Sequence, residues 1–293
     1  MERTIGLLGG GQLGQMLCEA ANPLGIQIII LDAENSPAKQ VNARISHING
    51  SFVDPGKIRE LARKVDILTV EIEHVDTEVL EEIAERGVEI VGQGGMKTMK
   101  RVEVQPSWRT IRIIQDKYLQ KGHLENNGVP TATSHALEST TTALNMFGEE
   151  HGFPYMLKAR KDAYDGRGNY PVKTASDIKD ALEALKGRSL YGEKWASFQK
   201  ELAVMVVKTR DAPGQDLEST IAYPAVETVH EDSICKLVYA PARGVSADIL
   251  KQAQLIARKA VSSLWGKGVS LRIAMLSIFC ELLSVVHKHL LTD

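Results

Sequence analysis

Three stretches of the chain combine residue types that could do chemistry. Gly9-Gly10-Gly11-Gln12-Leu13-Gly14 satisfies GxGxxG, and Asp32 follows eighteen residues after its last glycine. A glycine turn at a helix start exposes backbone amides that attract phosphate. One literal reading is a dinucleotide site with Asp32 on a ribose hydroxyl. The other is a tight turn that uses glycine only for close packing. The second stretch runs Lys158-Ala159-Arg160-Lys161-Asp162-Ala163-Tyr164-Asp165-Gly166-Arg167-Gly168-Asn169. Two glycines among cations can fold over a polyphosphate, and Asp-Gly is equally a hairpin signal. The third, Glu193-Lys194-Trp195-Ala196 with Glu201 five residues on, reads alone as strand, turn and strand with solvated charges.

The elements that must position these residues fall into two textures. Over the first hundred residues, short apolar runs (4–9, 26–31, 66–70, 88–91) alternate with helical periodicity (12–24, 77–86). Asp54-Pro55 opens another helix, because Asp caps free amides and Pro is tolerated at the first helical position; Ile58, Leu61, Ala62 and Val65 share its apolar face. Such alternation predicts a parallel sheet covered on both faces. Residues 106–127 predict one or two helices. Beyond them, strand patterns at 155–158, 170–173, 190–195, 203–209, 221–229 and 234–238, with helices at 140–150, 176–186 and 245–265, predict an antiparallel α+β region. Residues 92–101 look inserted, because they separate two similar phrases, Val88-Glu89-Ile90 and Val102-Glu103-Val104.

Composition narrows the classes. The chain has 293 residues, is 43% hydrophobic and 25% charged, and carries 35 basic against 37 acidic side chains. That balance excludes a basic nucleic-acid-coating protein and wholesale disorder. No signal segment opens the chain, and no early apolar run approaches the ~20 residues of a membrane span. The expectations are no nucleic acid and no membrane. Cys18, Cys235 and Cys280 form no CxxC pair, so a disulfide framework and a zinc site are both disfavoured and a cytoplasmic location is expected.

Taken in order, the lysine strand, the glycine flap, the Glu-Lys-Trp-Ala edge and Glu201 resemble the ATP-grasp superfamily. With Thr69-Val70-Glu71-Ile72-Glu73, the glycine turn, Pro106-Ser107-Trp108-Arg109-Thr110-Ile111 and Tyr239-Ala240-Pro241-Ala242-Arg243-Gly244, they are similar to N5-carboxyaminoimidazole ribonucleotide synthetases. Within that family the likeness is to the ATP-dependent half of fungal-type phosphoribosylaminoimidazole carboxylases. The resemblance covers residues 1–269 apart from the insertion. It implies a Rossmann-like pre-ATP-grasp domain (1–104), an incomplete ATP-grasp domain (105–269) and a non-family apolar tail (270–293), an α/β plus α+β fold. It also implies ATP with Mg²⁺, 5-aminoimidazole ribonucleotide and bicarbonate as partners, and a homodimer. Bicarbonate would be activated as an acyl phosphate.

Carried over by motif, Lys117 and Lys158 would contact the ATP phosphates, and residues 164–169 would form the flap: Tyr164, Asp165, Gly166, Arg167, Gly168 and Asn169. Tyr164, Asp165 and Arg167 would also face the ribonucleotide. Glu193, Lys194, Trp195 and Ala196 would form the adenine hinge, and Glu201 would bind the ribose. His230 would complete the ATP site; read without the family, it is a surface-loop histidine. Glu73 would touch the imidazole, or is an ordinary strand-end carboxylate. Gly11, Gln12 and Leu13 would line the substrate side, which leaves Asp32 without a special role.

After Val269 the family pattern stops. A strand glutamate and an Asn-Glu pair that would hold Mg²⁺ do not follow; residues 270–293 contain only Glu281 and Asp293 as acids, and His287-x-His289 is no substitute. No metal ligand is assigned. Mg²⁺ takes hard oxygen ligands, so impaired turnover is expected of a truncated or misread product. Two further readings stay open: a non-catalytic ATP-binding remnant or interaction module, and an NAD-dependent oxidoreductase built on the glycine turn.

Overall fold

The computed structural model describes residues 3–43, 45–163, 168–211, 216–231 and 234–267. These form two units, one running to Arg112 and taking in Trp265 and Gly266, the other spanning Ile113–Leu264.

In the first unit the chain follows β1 (Ile5–Leu8), α1 (Gln12–Ala21), β2 (Ile28–Asp32), α2 (Pro37–Val41), β3 (Ile48–Asn49), α3 (Pro55–Lys64), β4 (Ile67–Val70) and α4 (Thr77–Arg86). Then come β5 (Val88–Val91), β6 (Lys97–Lys100) and β7 (Glu103–Val104), before α5 (Trp108–Gln115) crosses into the second unit. Five strands form the parallel sheet β3-β2-β1-β4-β7. Period-2 alternation sends adjacent residues to opposite faces: Leu8 packs with Ile58, Leu61, Leu80 and Ile83, whereas Leu7 packs with Cys18, Ile30 and Ala38. Both faces are therefore buried, as the apolar runs require. Asp54 caps α3 through Gly56 and Lys57, and Asp76 caps α4 through Glu78 and Val79.

The insertion folds differently from a bare loop. Residues 88–91 do not join the parallel sheet; they pair antiparallel with Lys97–Lys100 as a hairpin. The second copy of the phrase takes the place beside β4, with Ile67 opposite Glu103 and Leu68 opposite Val104. The unit closes where Thr110 Oγ1 donates to the Trp265 carbonyl at 2.7 Å and accepts from the Trp265 amide at 2.8 Å.

The second unit contains α6 (Lys117–Asn126), β8 (Ser134–Leu137), α7 (Thr141–His151), β9 (Tyr155–Ala159), β10 (Asn169–Val172), α8 (Ile178–Ala184) and β11 (Leu190–Lys194). It continues through β12 (Glu201–Ala203), β13 (Val206–Lys208), β14 (Thr220–Ala222), β15 (Val226–Glu231), β16 (Ile234–Tyr239) and α9 (Ala247–Ser262). The sheet β10-β9-β11-β8 is antiparallel, and Leu144, Phe147, Tyr155, Leu157, Ile178 and Ala181 form its core against α7 and α8. A second core joins Leu202, Val204, Val206 and Ala225 to Ala253, Ala257 and Val261 of α9. The antiparallel expectation holds, with two corrections. The strands expected at 203–209 and 221–229 each divide, because the chain leaves the sheet β12-β15-β16 at Val204 and again around Pro224, making a separate pair β13-β14.

Candidate functional site

In β9 the side chains of Tyr155, Leu157 and Ala159 are buried toward the core, and Tyr155 donates its hydroxyl to the Leu144 carbonyl at 3.0 Å. Alternation then turns Lys158 to the opposite face. Across the ladder Tyr191 lies opposite Lys158, and Glu193 opposite Met156. Asp116 sets the third wall. Its carboxylate caps α6 by accepting from the Tyr118 and Leu119 amides, and it also takes Arg160 in a two-pronged ion pair at 3.1 and 2.7 Å. The Lys117 amide donates to the Arg160 carbonyl at 2.8 Å. The start of α6 is thus tied to the end of β9, and Lys121 of α6 is delivered to the sheet.

The result is a buried ionic bridge. Glu193 accepts from Lys158 at 2.6 Å through one oxygen and from Lys121 at 3.1 Å through the other. Their side chains are 7%, 14% and 5% exposed respectively, so this is an interior assembly, not a surface pair. The structure brings Lys158 and Glu193 together as an ion pair. It adds Lys121, which sequence reasoning missed although it lies one helical turn beyond Lys117 on α6. It also gives Glu193 a side-chain role beyond its place at the expected hinge. Lys194 is exposed and its amide donates to the Thr133 carbonyl at 2.9 Å; Trp195 is 43% exposed, and Ala196 lies in the connection to β12.

A second cluster sits on the sheet β12-β15-β16. Glu201 Oε2 and His230 Nδ1 are in close contact, and His230 Nε2 is buried with no hydrogen-bond partner among the described residues. His230 is therefore on β15, not in a surface loop. Such an orphaned buried nitrogen suits a polar ligand, because an unmet buried polar group is costly. Next to Glu201, Lys200 donates to Glu227 at 3.2 Å, and Arg243 grips the same carboxylate through Nε and Nη2 at 3.1 Å. The Arg243 guanidinium, its amide and the Lys200 ammonium together hold the Glu227 carboxyl down at about 2. This anchors both ends of the Tyr239–Gly244 phrase and β12.

Tyr164, Asp165, Gly166 and Arg167 lie outside the described residues. Their flanks form a hairpin: Asn169 pairs with Lys158, and the Ala159 amide donates to the Gly168 carbonyl at 2.7 Å. Gly168 has φ +135°, and a Cβ there would lie 2.7 Å from that of Ala163, so only glycine fits.

In the first unit the glycine turn is already filled. Gly11 N and Leu13 N donate to the two oxygens of Glu71 at 2.5 and 3.1 Å, and Gly10 N donates to Asp32 at 2.6 Å. Asp32 also accepts from the Ala33 amide at 2.7 Å. Carboxylates occupy the donors that a dinucleotide phosphate needs, which opposes the NAD reading. Gln12 and Leu13 are exposed. Glu73, 9% exposed, lies three residues past the end of β4 rather than at it.

Among the described residues no group of three or more His, Cys, Asp or Glu could hold a metal ion. The described residues do not form a Mg²⁺ site. No helix among them is long and apolar enough to cross a membrane.

Comparison with known proteins places these features in one family. The ATP-grasp domain profile matches residues 122–275, and the ribonucleotide synthetase preATP-grasp domain profile matches residues 1–115. The phosphoribosylaminoimidazole carboxylase of Ogataea methanolica is 51% identical over 268 residues, 91% of this chain and 46% of the relative. The chain thus spans about half the length of that relative. The crystal structure of carboxyaminoimidazole ribonucleotide synthase from Aspergillus clavatus complexed with ATP matches with 52% identity and a TM-score of 0.82, covering 92% of this chain and 65% of that one. A second structure from that organism, complexed with ADP and 5-aminoimidazole ribonucleotide, matches at 50% identity and TM-score 0.80, covering 92% and 64%. With its characteristic domain matched over more than half of the residues, and its fold shared with solved members, the chain belongs to the ATP-grasp family.

Proposed function

We propose that the chain binds ATP and descends from an enzyme that carboxylates 5-aminoimidazole ribonucleotide with bicarbonate in purine biosynthesis. The observation that carries this reading is the buried Lys121–Glu193–Lys158 bridge beside the glycine hairpin. Fixed cations at the root of a glycine-rich hairpin suit a polyphosphate. The domains proposed are 1–104 on the substrate side and 105–269 around ATP.

In this reading Lys158 and Lys117 neutralise phosphate charge, and Glu193 holds Lys158 in place. Residues 193–196 offer the base an edge. Glu201 accepts from ribose hydroxyls, and the unpaired His230 Nε2 gains a partner. Tyr164, Asp165 and Arg167 meet the ribonucleotide from the flap. Because Glu71 already takes the Gly11 and Leu13 amides, Gly11, Gln12 and Leu13 form a wall there rather than donors, with Glu73 as the polar contact. ATP, when bound, supplies the phosphoryl group that activates bicarbonate. The same reading takes Mg²⁺ as arriving with ATP, a cytoplasmic location and a homodimer.

The test is calorimetry with ATP and with NAD, followed by ADP release with and without 5-aminoimidazole ribonucleotide. ATP should titrate and NAD should not, and Lys158→Met should weaken ATP at least about tenfold, as expected for losing a charge-assisted phosphate contact. A folded chain giving no heat with ATP overturns the proposal. Binding without ribonucleotide-dependent ADP release leaves the non-catalytic module, a reading favoured by the absence of the family's carboxylate phrases after Val269.

A further inference from the structure

The glycine turn of the first unit has its own anion. Gly11 N and Leu13 N, at the open start of α1, converge on the two oxygens of Glu71, 60 and 58 residues away in sequence. The three neighbouring glycines are shaped around that same side chain. A Cβ on Gly11 would lie 2.8 Å from Glu71 Oε1, one on Gly14 3.0 Å from Oε2, and one on Gly9 3.2 Å from the Glu71 Cβ. Glu71 is held from behind as well, since its amide donates to the Leu8 carbonyl at 2.9 Å and extends the β1–β4 ladder. The helix has no other cap: Gly11 has no side chain, and the first turn of α1 carries no acid.

We propose that Glu71 is a built-in ligand of this turn, a residue that determines specificity by exclusion. Its carboxylate stands where a nucleotide phosphate stands in dinucleotide-binding turns. The glycines let the turn close around a glutamate, and phosphate-bearing cofactors are refused. This inference goes beyond the ATP reading and does not depend on it.

The experiment follows thermal unfolding of the full chain and of Glu71→Ala against acetate, inorganic phosphate and NAD. Acetate replaces the lost carboxylate, and phosphate is the anion that Glu71 keeps out. Glu71→Ala should unfold at lower temperature and regain about 2–4 °C with acetate or phosphate. The unsubstituted chain should respond to neither, nor to NAD. Two results overturn the idea: equal responses in both proteins, or no response in Glu71→Ala. If that variant does not fold, Glu71→Gln decides through amide hydrogen exchange. The side-chain amide can accept from only one of the two donors, so Gly11 or Leu13 should exchange at least about tenfold faster, with the Ala159 amide of the other unit unchanged. Unaltered exchange at both positions sinks the proposal. ATP titration of the same variants keeps the two readings apart, because Glu71 is not among the ATP contacts.

Discussion

A single carboxylate decides much of the second unit's interior. Glu193 neutralises two ammonium groups that are almost wholly withdrawn from water. Desolvated charges are tolerable only while paired, and removing one partner of a buried pair costs about 3–5 kcal/mol. Glu193→Gln should therefore lower the urea unfolding free energy by roughly 3 kcal/mol. Replacing all three residues, as in Lys121→Met, Glu193→Leu, Lys158→Met, should recover most of that loss while removing ATP binding. A Glu193→Gln protein as stable as the parent would show the bridge to be hydrated. Two of the bridge's three residues were legible in the sequence. Lys158 and Glu193 stood in recognisable phrases, whereas Lys121 sits among ordinary helix residues and reveals itself only when Asp116 and Arg160 fix the start of α6. Glu71 was hidden for a related reason: Glu71-Ile72-Glu73 offers two like acids, and nothing local says which one turns back onto the glycines.

At the scale of elements, the duplicated phrase shows how a chain chooses between equal candidates. Val88-Glu89-Ile90 follows α4 directly, yet Val102-Glu103-Val104 wins the sheet edge. The neighbouring Gln105 amide extends that pairing, donating to Leu68 at 2.8 Å. The losing copy closes on itself as β5–β6. Gly87, at φ +84°, lies so close to the far end of this hairpin that a Cβ on it would be 2.4 Å from the Lys100 carbonyl oxygen. The two ends of this hairpin thus nearly touch, and joining Gly87 to Val102 by deleting residues 88–101 should leave the parallel sheet intact. Shortening the excursion changes loop entropy only slowly with length, but Val88 is 3% exposed in the unit's core, so the unfolding midpoint should fall by roughly 4–8 °C, as for about 1 kcal/mol lost from a domain of this size. Loss of cooperative unfolding would mean that β5–β6 supports the unit. The misjudged strands teach a similar lesson. Apolar runs such as 202–207 record burial, and burial continues through Val204 while the chain changes sheets; Pro224 was the one local sign of the second switch.

His47 makes a pH prediction for the same region. Its Nδ1 accepts from the Ile30 amide at 3.2 Å, and its Nε2 lies 2.8 Å from the Asn42 carbonyl, which requires the neutral ring with the proton on Nε2. Burial, reinforced by the nearby Lys39 charge, outweighs the Asn42 bond and holds the imidazole below its ordinary 6.5. His123 is lowered by burial too, against its bond to the Ser263 carbonyl. A histidine with a depressed folded value takes up its proton more readily when unfolded. Stability is then full above the ordinary value and declines as pH falls below about 6.5 toward the folded value. Denaturant midpoints measured between pH 7.5 and 5 should fall with acid, and less steeply in His47→Gln. A flat profile would place both rings in water.

At the scale of the whole molecule, the proposed ATP contacts and the groups that turnover would need separate along the chain. Every described element expected to hold ATP is formed before residue 265, and the two domain profiles match residues 1–115 and 122–275. Phosphoryl transfer asks for more, since a cation must bridge phosphate oxygens as charge develops. The described residues have no cluster for it, and residues 270–293 supply only Glu281 and Asp293. ATP affinity and ADP release should therefore respond differently to one exchange. Replacing residues 270–293 with the corresponding segment of the Aspergillus clavatus enzyme should leave the ATP dissociation constant within about tenfold, because the proposed base, ribose and phosphate contacts lie upstream. Ribonucleotide-dependent ADP release should rise by at least about a hundredfold, equivalent to about 2.7 kcal/mol of transition-state stabilisation restored with the carboxylates. If the chimera binds ATP and turns over no faster than the parent, the deficit lies in the first 269 residues. If the parent already works at the chimera's rate, the departure after Val269 is chemically silent and the transferring cation is held by groups upstream.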